Sequence, residues 1–316
     1  MIGDLILKLR AGDIVEIQSE SEIQASLDAD GSFQGVPFMP EMRKFCGKRF
    51  RVLKRAQKIC VEGSPPRCMR DAVILEGVRC DGEAHDSCRR LCTIFWKEAW
   101  LKRVTNGQKP VLFADWLSLG GSEVPPPINT EKVYSCQSTR LLAATEHLSG
   151  WDFRQYVRDV WYRNFTIRQV FRALFIMAYN RVSWAQGGLE YGAALGKQTT
   201  TPSVALNLQP GEFVEIKSRE EIVATLDPRG KNRGLQIDYE MLRHCGKRFR
   251  VLKRIDRIIL ETTGKMREIK NTVVLENTEC EGLCRRACAR VLYPMWREAW
   301  LDRVKEPSLP ESSRGD

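Results

Sequence analysis

The residues of this chain that could do chemistry are its cysteines and histidines, because thiolates and imidazoles bind metals and act as nucleophiles or bases. The 316 residues include 11 cysteines and 3 histidines. Four such side chains recur in each of two segments, spaced Cys-x33-Cys-x4-His-x2-Cys and Cys-x34-Cys-x3-Cys-x3-Cys. They are Cys46, Cys80, His85 and Cys88 in the first segment, and Cys245, Cys280, Cys284 and Cys288 in the second.

A structural zinc ion takes four Cys or His ligands in a tetrahedral arrangement, so the two sets predict two zinc ions per chain. With every position filled by protein, neither ion would hold an activated water, and both sites would be structural. In a second alignment, Cys88-Arg-Arg-Leu-Cys92 matches Cys284-Arg-Arg-Ala-Cys288, and Cys92 then replaces His85 as a ligand. An iron–sulfur cluster on the four cysteines of the second set is an alternative cofactor. Simple packing of buried thiols is the alternative to any metal.

Cys136 is the best candidate for a nucleophile, because it lies in Tyr134-Ser-Cys-Gln-Ser-Thr139, just before a predicted helix. Free amides at a helix N-terminus lower the pKa of a nearby thiol. Catalysis also needs a positioned base, and the sequence pairs neither His147 nor His244 with this cysteine. A core or interface cysteine is therefore favoured, and no catalytic residue is assigned. The motifs of familiar enzyme classes are absent from the sequence, which leaves open whether the chain is an enzyme.

An internal duplication supplies the elements that must position these residues. Gly12-Asp-Ile-Val-Glu-Ile17 recurs as Gly211-Glu-Phe-Val-Glu-Ile216, and the segment Cys46–Arg55 recurs unchanged as Cys245–Arg254, both at an offset of 199 residues. At an offset of 200, Trp96-Lys-Glu-Ala-Trp-Leu-Lys-Arg-Val104 recurs as Trp296-Arg-Glu-Ala-Trp-Leu-Asp-Arg-Val304. Two homologous lobes are therefore predicted to flank an unrelated middle.

Each lobe contains short alternating runs bounded by turn residues, such as Asp13–Ile17 and Phe50–Lys54, which predict half-buried strands. About five or six strands per lobe favour a partly open SH3-like barrel, because closure removes exposed edges. Four tryptophans are expected to fill the two barrels: Trp96, Trp100, Trp296 and Trp300.

The middle of the chain changes to helical spacing. Apolar residues from Trp151 to Val182 recur every three or four positions, and Thr166 is placed to cap the second helix. The predicted fold class is mainly β with a helical insert (α+β), in which the insert packs between two SH3-like lobes. The predicted domains are 1–109, the first metal-binding lobe; 110–204, a linker and central helices; 205–305, the second metal-binding lobe; and 306–316, a flexible tail.

Composition and charge restrict the expected partners. The chain is 43% hydrophobic and 28% charged, as in globular proteins, and no apolar run approaches the roughly 18–20 residues that cross a bilayer. The apolar stretch near Met1 is too short for an export signal, so we expect a cytoplasmic protein, where thiols stay reduced. A net charge of +10 favours an anionic partner.

The duplicated Lys-Arg-x-Arg-x-x-Lys-Arg blocks predict two basic strands. They could form a nucleic-acid surface centred on Lys48, Arg49, Lys247 and Arg248. A solvated protein face is favoured, because no base-stacking motif accompanies these strands.

Three sequence motifs resemble those of a family of uncharacterised bacterial proteins. They are Gly-Glu-Phe-Val-Glu-Ile, Cys-Gly-Lys-Arg-Phe-Arg-Val and Trp-Arg-Glu-Ala-Trp-Leu-x-Arg-Val. Members of that family tend to occur beside polysaccharide or natural-product biosynthesis genes. In the family pattern a Cys, a His and a Cys fall at the spacing of Cys80, His85 and Cys88, whereas the second lobe has Arg285 at the histidine position. The resemblance implies a biosynthetic context and no particular reaction.

The leading hypothesis is a zinc-stabilised, two-lobed accessory protein that presents a substrate, a carrier or a partner enzyme in such a pathway. Its ligand would be a pathway protein or an anionic small molecule. One alternative is a metal- or cysteine-dependent biosynthetic enzyme that uses Cys136 or an open metal site. The other alternative is a nucleic-acid-binding protein that uses the duplicated basic strands.

Overall fold

The computed structural model of the chain describes residues 7–104, 126–129, 131–150 and 152–305. These residues belong to two compact units. The first unit comprises Met1–Glu190, Arg257–Glu268 and Cys280–Leu292, and the second comprises Tyr191–Asp256, Ile269–Glu279 and Tyr293–Asp316. The predicted tail and the predicted linker around Gly120-Gly121 lie outside the described residues.

The first unit contains most of the strands and the longest helix. Its elements from the first part of the chain are β1 (Ile14–Ile17), α1 (Glu20–Gln24), β2 (Ser32–Phe33), β3 (Val36–Pro37), β4 (Arg49–Arg55), β5 (Arg67–Cys68), β6 (Ala72–Arg79), β7 (Thr93–Lys97), β8 (Leu101–Arg103), α2 (Gln137–Arg140), β9 (Glu146–His147), α3 (Arg154–Trp161) and α4 (Ile167–Ala185). Short 3-10 helices cover Pro40–Phe45, Glu83–His85 and Glu98–Trp100.

Five antiparallel strands form the main sheet of the first unit in the order β7-β6-β4-β1-β8. Strand β1 lies between β4 and β8, so that Val15 is opposite both Phe50 and Arg103. Val15 and Ile17 are fully buried, and Ile14 and Glu16, which alternate with them, are partly exposed, which is the period of a half-buried strand. The 3-10 helix Glu98–Trp100 joins β7 to β8.

The core of this unit confirms the prediction for its two tryptophans. Trp96 and Trp100 are fully buried, and their rings meet edge to face with centroids 6.5 Å apart. Beside them, the buried carboxylate of Glu98 pairs with Arg55 and accepts hydrogen bonds from the amides of Lys8 and Leu9. This carboxylate therefore fastens the chain before β1 to the sheet.

Two helices of the middle segment pack on the first unit through one face. Thr166 caps α4 as predicted, since its hydroxyl accepts from the amide of Gln169. Val170, Ala173 and Ile176 are the buried residues of α4. Large apolar residues of the predicted stripe are exposed all the same: Phe153, Val157, Trp161, Phe171 and Phe175.

Two stretches from late in the chain complete the first unit. One is the hairpin of β14 (Arg257–Ile259) and β15 (Met266–Glu268), whose turn residue Gly264 accepts a hydrogen bond from the amide of Tyr134 at 2.8 Å. The other includes the 3-10 helix Leu283–Arg285, followed by Ala289, whose amide donates to the carbonyl of Lys58 at 2.7 Å. These backbone hydrogen bonds join segments about 130 and about 230 residues apart in sequence.

The second unit repeats the strand order of the first. Its elements are β10 (Phe213–Ile216), α5 (Arg219–Ala224), β11 (Lys231–Asn232), β12 (Leu235–Gln236), α6 (Tyr239–Leu242), β13 (Arg248–Arg254), β16 (Thr272–Leu275), β17 (Trp296–Arg297) and β18 (Leu301–Val304). The sheet order is β17-β16-β13-β10-β18, and the 3-10 helix Glu298–Trp300 precedes its last strand. Trp296 and Trp300 are fully buried in its core, also as predicted.

The described residues confirm a β-rich α+β fold. The SH3-like nature of the two sheets stays a prediction, as do the predicted domain boundaries.

Candidate metal centre

Three donors of different chemistry converge in the first unit, two of them buried and one, Cys80, half-buried. One donor atom each from Glu41, Cys80 and His85 lie within 4.8 Å of one another. The Cys80 thiol donates to Oε1 of Glu41 at 3.0 Å, and Nδ1 of His85 lies 3.4 Å from the same oxygen. The side chains of Glu41 and His85 are only 0% and 8% exposed. Two of the residues predicted as zinc ligands, Cys80 and His85, are thus brought together.

Local backbone structure places each of the three donors. Glu41 lies in the first turn of the 3-10 helix Pro40–Phe45, which begins with the proline that favours such a position. Cys80 follows β6 directly, and its amide donates to the carbonyl of Cys92. The chain then turns through Gly82 at a φ of +80°, and His85 ends the one-turn helix that returns towards Cys80.

Gly82 is required by this turn. A Cβ at this position would lie 1.8 Å from the carbonyl oxygen of Cys88, well inside van der Waals contact. The positive φ adds to the cost of any other residue. The same glycine recurs as Gly282, where a Cβ would lie 2.0 Å from the carbonyl oxygen of Cys288.

Burial and the Glu41 charge set the protonation of the cluster. Burial disfavours the Glu41 carboxylate, but His85 and Cys80 beside it lower its pKa below the usual value. Burial also opposes the charge on His85, yet Glu41 raises the pKa of this imidazole. Burial and Glu41 both raise the pKa of Cys80 well above its usual value. Without a metal, these pKa shifts favour an ionised Glu41 carboxylate, a protonated His85 imidazole and a neutral Cys80 thiol.

The distances in the cluster can be compared with those in a tetrahedral zinc site. Ligand atoms at zinc bond lengths of 2.0–2.3 Å in such a site lie about 3.3–3.8 Å apart. The 3.4 Å between Nδ1 of His85 and Oε1 of Glu41 falls in this range, and the 3.0 Å between the Cys80 sulfur and the same oxygen is shorter. Among the described residues, Oε2 of Glu41 and Nδ1 of His85 have no hydrogen-bond partner although both atoms are buried. A bound cation would satisfy both atoms, and unsatisfied buried polar atoms are costly otherwise.

Cys46 and Cys88, the other two predicted ligands of the first set, lie outside this group of donors in the described part of the chain. Cys46 is half-exposed at the end of the helix Pro40–Phe45, where burial and the charge of Glu20 raise its pKa. Cys88 is buried, and its sulfur accepts a hydrogen bond from the amide of Ile259 at 3.4 Å. The thiols of Cys88 and Cys92 are near enough to Cys80 to contribute to its raised pKa.

Cys136 is buried at the N-cap of the four-residue helix α2. Burial raises the pKa of its thiol, with hydrogen bonds around Thr139 acting in the opposite direction. The expected thiolate at a helix N-terminus is therefore not favoured at this position. His147 is an exposed residue of β9, opposite Arg67, and offers no sign of acting as a base for Cys136.

The four predicted ligands of the second set are divided between the compact units. Cys245 belongs to the second unit, and Cys280, Cys284 and Cys288 belong to the first. Within the first unit, Cys288 contacts Cys60, whose amide donates to the Cys288 sulfur at 2.9 Å. A hydrogen bond from the Cys288 thiol outweighs burial and lowers the pKa of Cys60 to about 7. The second zinc site stays a prediction.

Glu41 is the member of the cluster that the predicted ligand set, made only of cysteines and a histidine, does not include. The duplication does contain a signal for it, because Pro40-Glu41-Met42 is matched by Tyr239-Glu240-Met241 at the 199-residue offset. Glu41 and Glu240 are each buried in their own unit. An acidic residue that is buried at the same position in both repeats is a candidate ligand, since buried charges are normally paired or coordinate metals.

Acidic residues within the same unit neutralise much of the predicted basic strands. In the first unit, Arg49 pairs with Glu16 at 2.7 Å and Arg51 lies 3.4 Å from Glu76. In the second unit, Arg248 pairs with Glu215 at 2.8 Å. These ion pairs favour the interpretation of the strands as solvated protein faces over a phosphate-binding surface.

Comparison with models of known protein families, with curated proteins and with solved structures gives no match for this chain. The resemblance to a bacterial family beside biosynthesis genes therefore stays a prediction. Within the described residues, no helix combines the length and the apolar character needed to span a membrane.

Proposed function

We propose that this chain is a zinc-stabilised, two-lobed binding protein whose first zinc ion is held by Glu41, Cys80 and His85. The observation that carries the proposal is the convergence of these three donors within 4.8 Å, with two of their buried atoms unsatisfied. A carboxylate, a thiolate and an imidazole are all ligands that zinc accepts, whereas iron–sulfur clusters are bound mainly by thiolates. Zinc is therefore preferred over an iron–sulfur cluster at this centre.

A structural role for this zinc is supported by the burial of Glu41 and His85, two of its three donors. Glu41 comes from a 3-10 helix before β4, and Cys80 and His85 come from the connection between β6 and β7. A metal bound by all three would join segments about 40 residues apart, and binding would require Cys80 and His85 to lose their protons. Zinc would thereby add directly to the stability of the first unit.

The catalytic alternative is supported by the donor count. Three protein donors leave a fourth position free, as in catalytic zinc sites, and Cys92, whose carbonyl accepts from the Cys80 amide at 2.9 Å, is a candidate to fill it. The low exposure of Glu41 and His85 weighs against access by a substrate. We therefore favour the structural role, with Cys92 as a candidate fourth ligand beside His85, whereas the second sequence alignment has Cys92 in place of His85.

The wider role remains the one that the sequence suggests: an accessory protein of a bacterial natural-product or polysaccharide pathway that presents a substrate, a carrier or a partner enzyme. The family resemblance alone supports the pathway. The strand order in which the last strand pairs with the first, preceded by a one-turn helix, supports SH3-like lobes. Such lobes serve many functions, so fold alone identifies no ligand.

Elemental analysis of the purified chain tests the metal proposal. Glu41→Gln, Cys80→Ser and His85→Gln should each lose one equivalent of zinc, because each removes a ligand from the same ion. His147→Gln is the matched control, since His147 is exposed on β9 and should leave the metal content unchanged. Retention of all zinc by the three ligand variants would overturn the proposal.

A second measurement separates lost binding from lost folding. The metal-free wild-type chain is titrated with Co²⁺, which should give the thiolate-to-cobalt charge-transfer absorption expected of a cysteine ligand. Cys80→Ser should lose its part of this absorption, and Cys68→Ser, which alters a thiol on β5, should not. Fluorescence of the buried Trp96 and Trp100 then checks that each variant is folded.

A further inference from the structure

The helices α3 and α4 each expose a series of large apolar side chains. From the N-cap of α3, Phe153, Val157 and Trp161 are 60%, 71% and 62% exposed. On α4, Ile167 and Phe171 are 62% and 67% exposed. The spacing of four residues places each series on one side of its helix. Phe175 and Val182 continue the α4 series and are also exposed.

This surface is separate from the face by which α4 packs. Val170, Ala173 and Ile176 are buried and lie on the opposite side of the helix from Phe171 and Phe175. The exposed series is therefore additional to the core-facing stripe. Large exposed apolar patches on proteins commonly mark a binding surface.

The charges around the apolar surface are almost all positive. Residues 152–185 contain six arginines and only two acidic residues, Asp152 and Asp159. Asp159 is fully buried and paired with Lys58, so it contributes no surface charge. At 100° per residue, Arg168 and Arg181 lie on opposite edges of the exposed series of α4. Arg10 adds a cation 4.3 Å from the ring of Trp161.

These charges decide between the occupants of the surface. In a two-fold dimer the same surface of each copy meets its equivalent, which would bring two arginine-rich surfaces together with Asp152 as the one surface carboxylate of residues 152–185. An anionic lipid surface instead supplies phosphates for the arginines and an apolar boundary for Phe, Trp, Val and Ile. We propose that α3 and α4 form an amphipathic surface that lies in the headgroup region of an anionic phospholipid membrane.

Sedimentation with vesicles tests this proposal independently of the zinc proposal. The full chain is mixed with vesicles of phosphatidylcholine alone, or of equal parts phosphatidylcholine and phosphatidylglycerol. Binding is expected only to the anionic vesicles, and raising the salt should weaken it because the arginine attraction is screened. Substituting Arg168→Gln should weaken binding about fivefold, and Phe171→Ser about tenfold.

Leu142→Ser is the matched control, because Leu142 is a similarly exposed apolar residue (58%) that lies after α2. It should leave vesicle binding unchanged. The proposal is overturned if the wild-type chain fails to bind anionic vesicles, or if binding is the same for Phe171→Ser as for the control. Concentration-dependent dimerisation that Phe171→Ser abolishes, with no vesicle binding, would show that a second copy covers the surface instead.

Discussion

Lys58 and Asp159 form an ion pair from which water is excluded: Nζ lies 2.6 Å from Oδ2, and the two side chains are 1% and 0% exposed. Lys58 also lies 4.1 Å from the ring centroid of Tyr156. The pair joins the segment after β4 to α3. Burial lowers the pKa of the lysine and raises that of the aspartic acid, so each charge depends on its partner.

Removing one member of this pair should be strongly destabilising. Asp159→Ala leaves the Lys58 charge buried without a partner, and we expect a loss of about 3–5 kcal/mol in the free energy of unfolding. The double variant Lys58→Met, Asp159→Leu removes both charges and should recover most of that loss. Urea unfolding measures both values. A double variant as unstable as Asp159→Ala would contradict this explanation.

Lys97 should make stability depend on alkaline pH. Burial lowers its pKa to about 8 in the folded chain from the ordinary value of 10.5, despite the opposing charges of Asp71 and Glu98. Between these two pH values the unfolded chain holds a proton that the folded chain has lost. Stability from this residue therefore rises with pH by up to about 1.4 kcal/mol per pH unit in that window, and is lost as pH falls through about 8.

The variant Lys97→Met isolates this effect from the other lysines. The difference in unfolding free energy, wild type minus variant, should increase from pH 8 to pH 10.5. Urea unfolding at a series of pH values provides the measurement. A difference that stays constant across this window would show that Lys97 keeps its ordinary pKa.

Gly82 should be essential for zinc binding through its lack of a side chain. Gly82→Ala cannot keep the turn to His85, because its Cβ would meet the carbonyl oxygen of Cys88 at 1.8 Å. We expect loss of the first zinc ion and destabilisation by more than about 2 kcal/mol, beyond the left-handed backbone cost alone. Gly63→Ala is the matched control, with a φ of +71° and no atom within 4 Å of the added carbon.

The two alanine variants separate conformational strain from the steric clash. Gly63→Ala should cost about 1–2 kcal/mol and keep its zinc. Zinc content and urea unfolding are measured for both. Equal behaviour of the two variants would mean that the turn tolerates a side chain and does not position His85 as described.

The duplication predicted much of the β structure. The alternation in Gly12–Ile17 and its repeat located β1 and β10, and the repeated Trp-x-Glu-Ala-Trp words located the buried tryptophans of both cores. The helical period predicted α3 and α4, with Thr166 at the correct cap. Periodicity could not determine how much of each helix is covered, because Phe171 and Val170 are equally apolar and only tertiary packing distinguishes them.

The metal centre was predictable only in part. Cys80 and His85 are five residues apart, so a single turn brings them together, and their spacing carried the prediction. Glu41 is 39 residues before Cys80 and reaches it through tertiary structure, which sequence spacing does not encode. The same spacing also predicted Cys88 as a ligand, but its sulfur accepts a hydrogen bond from the amide of Ile259 in β14. Such a contact between residues far apart in sequence leaves no local signal in the sequence.

X-ray absorption at the zinc edge, compared between the wild-type chain and Cys80→Ser, tests the central claim most directly. The claim predicts a wild-type shell with sulfur at about 2.3 Å and nitrogen or oxygen at about 2.0–2.2 Å, and a variant that loses one equivalent of zinc together with the nitrogen and oxygen part of the shell. A wild-type zinc shell without sulfur, or one that Cys80→Ser leaves unchanged, would contradict it.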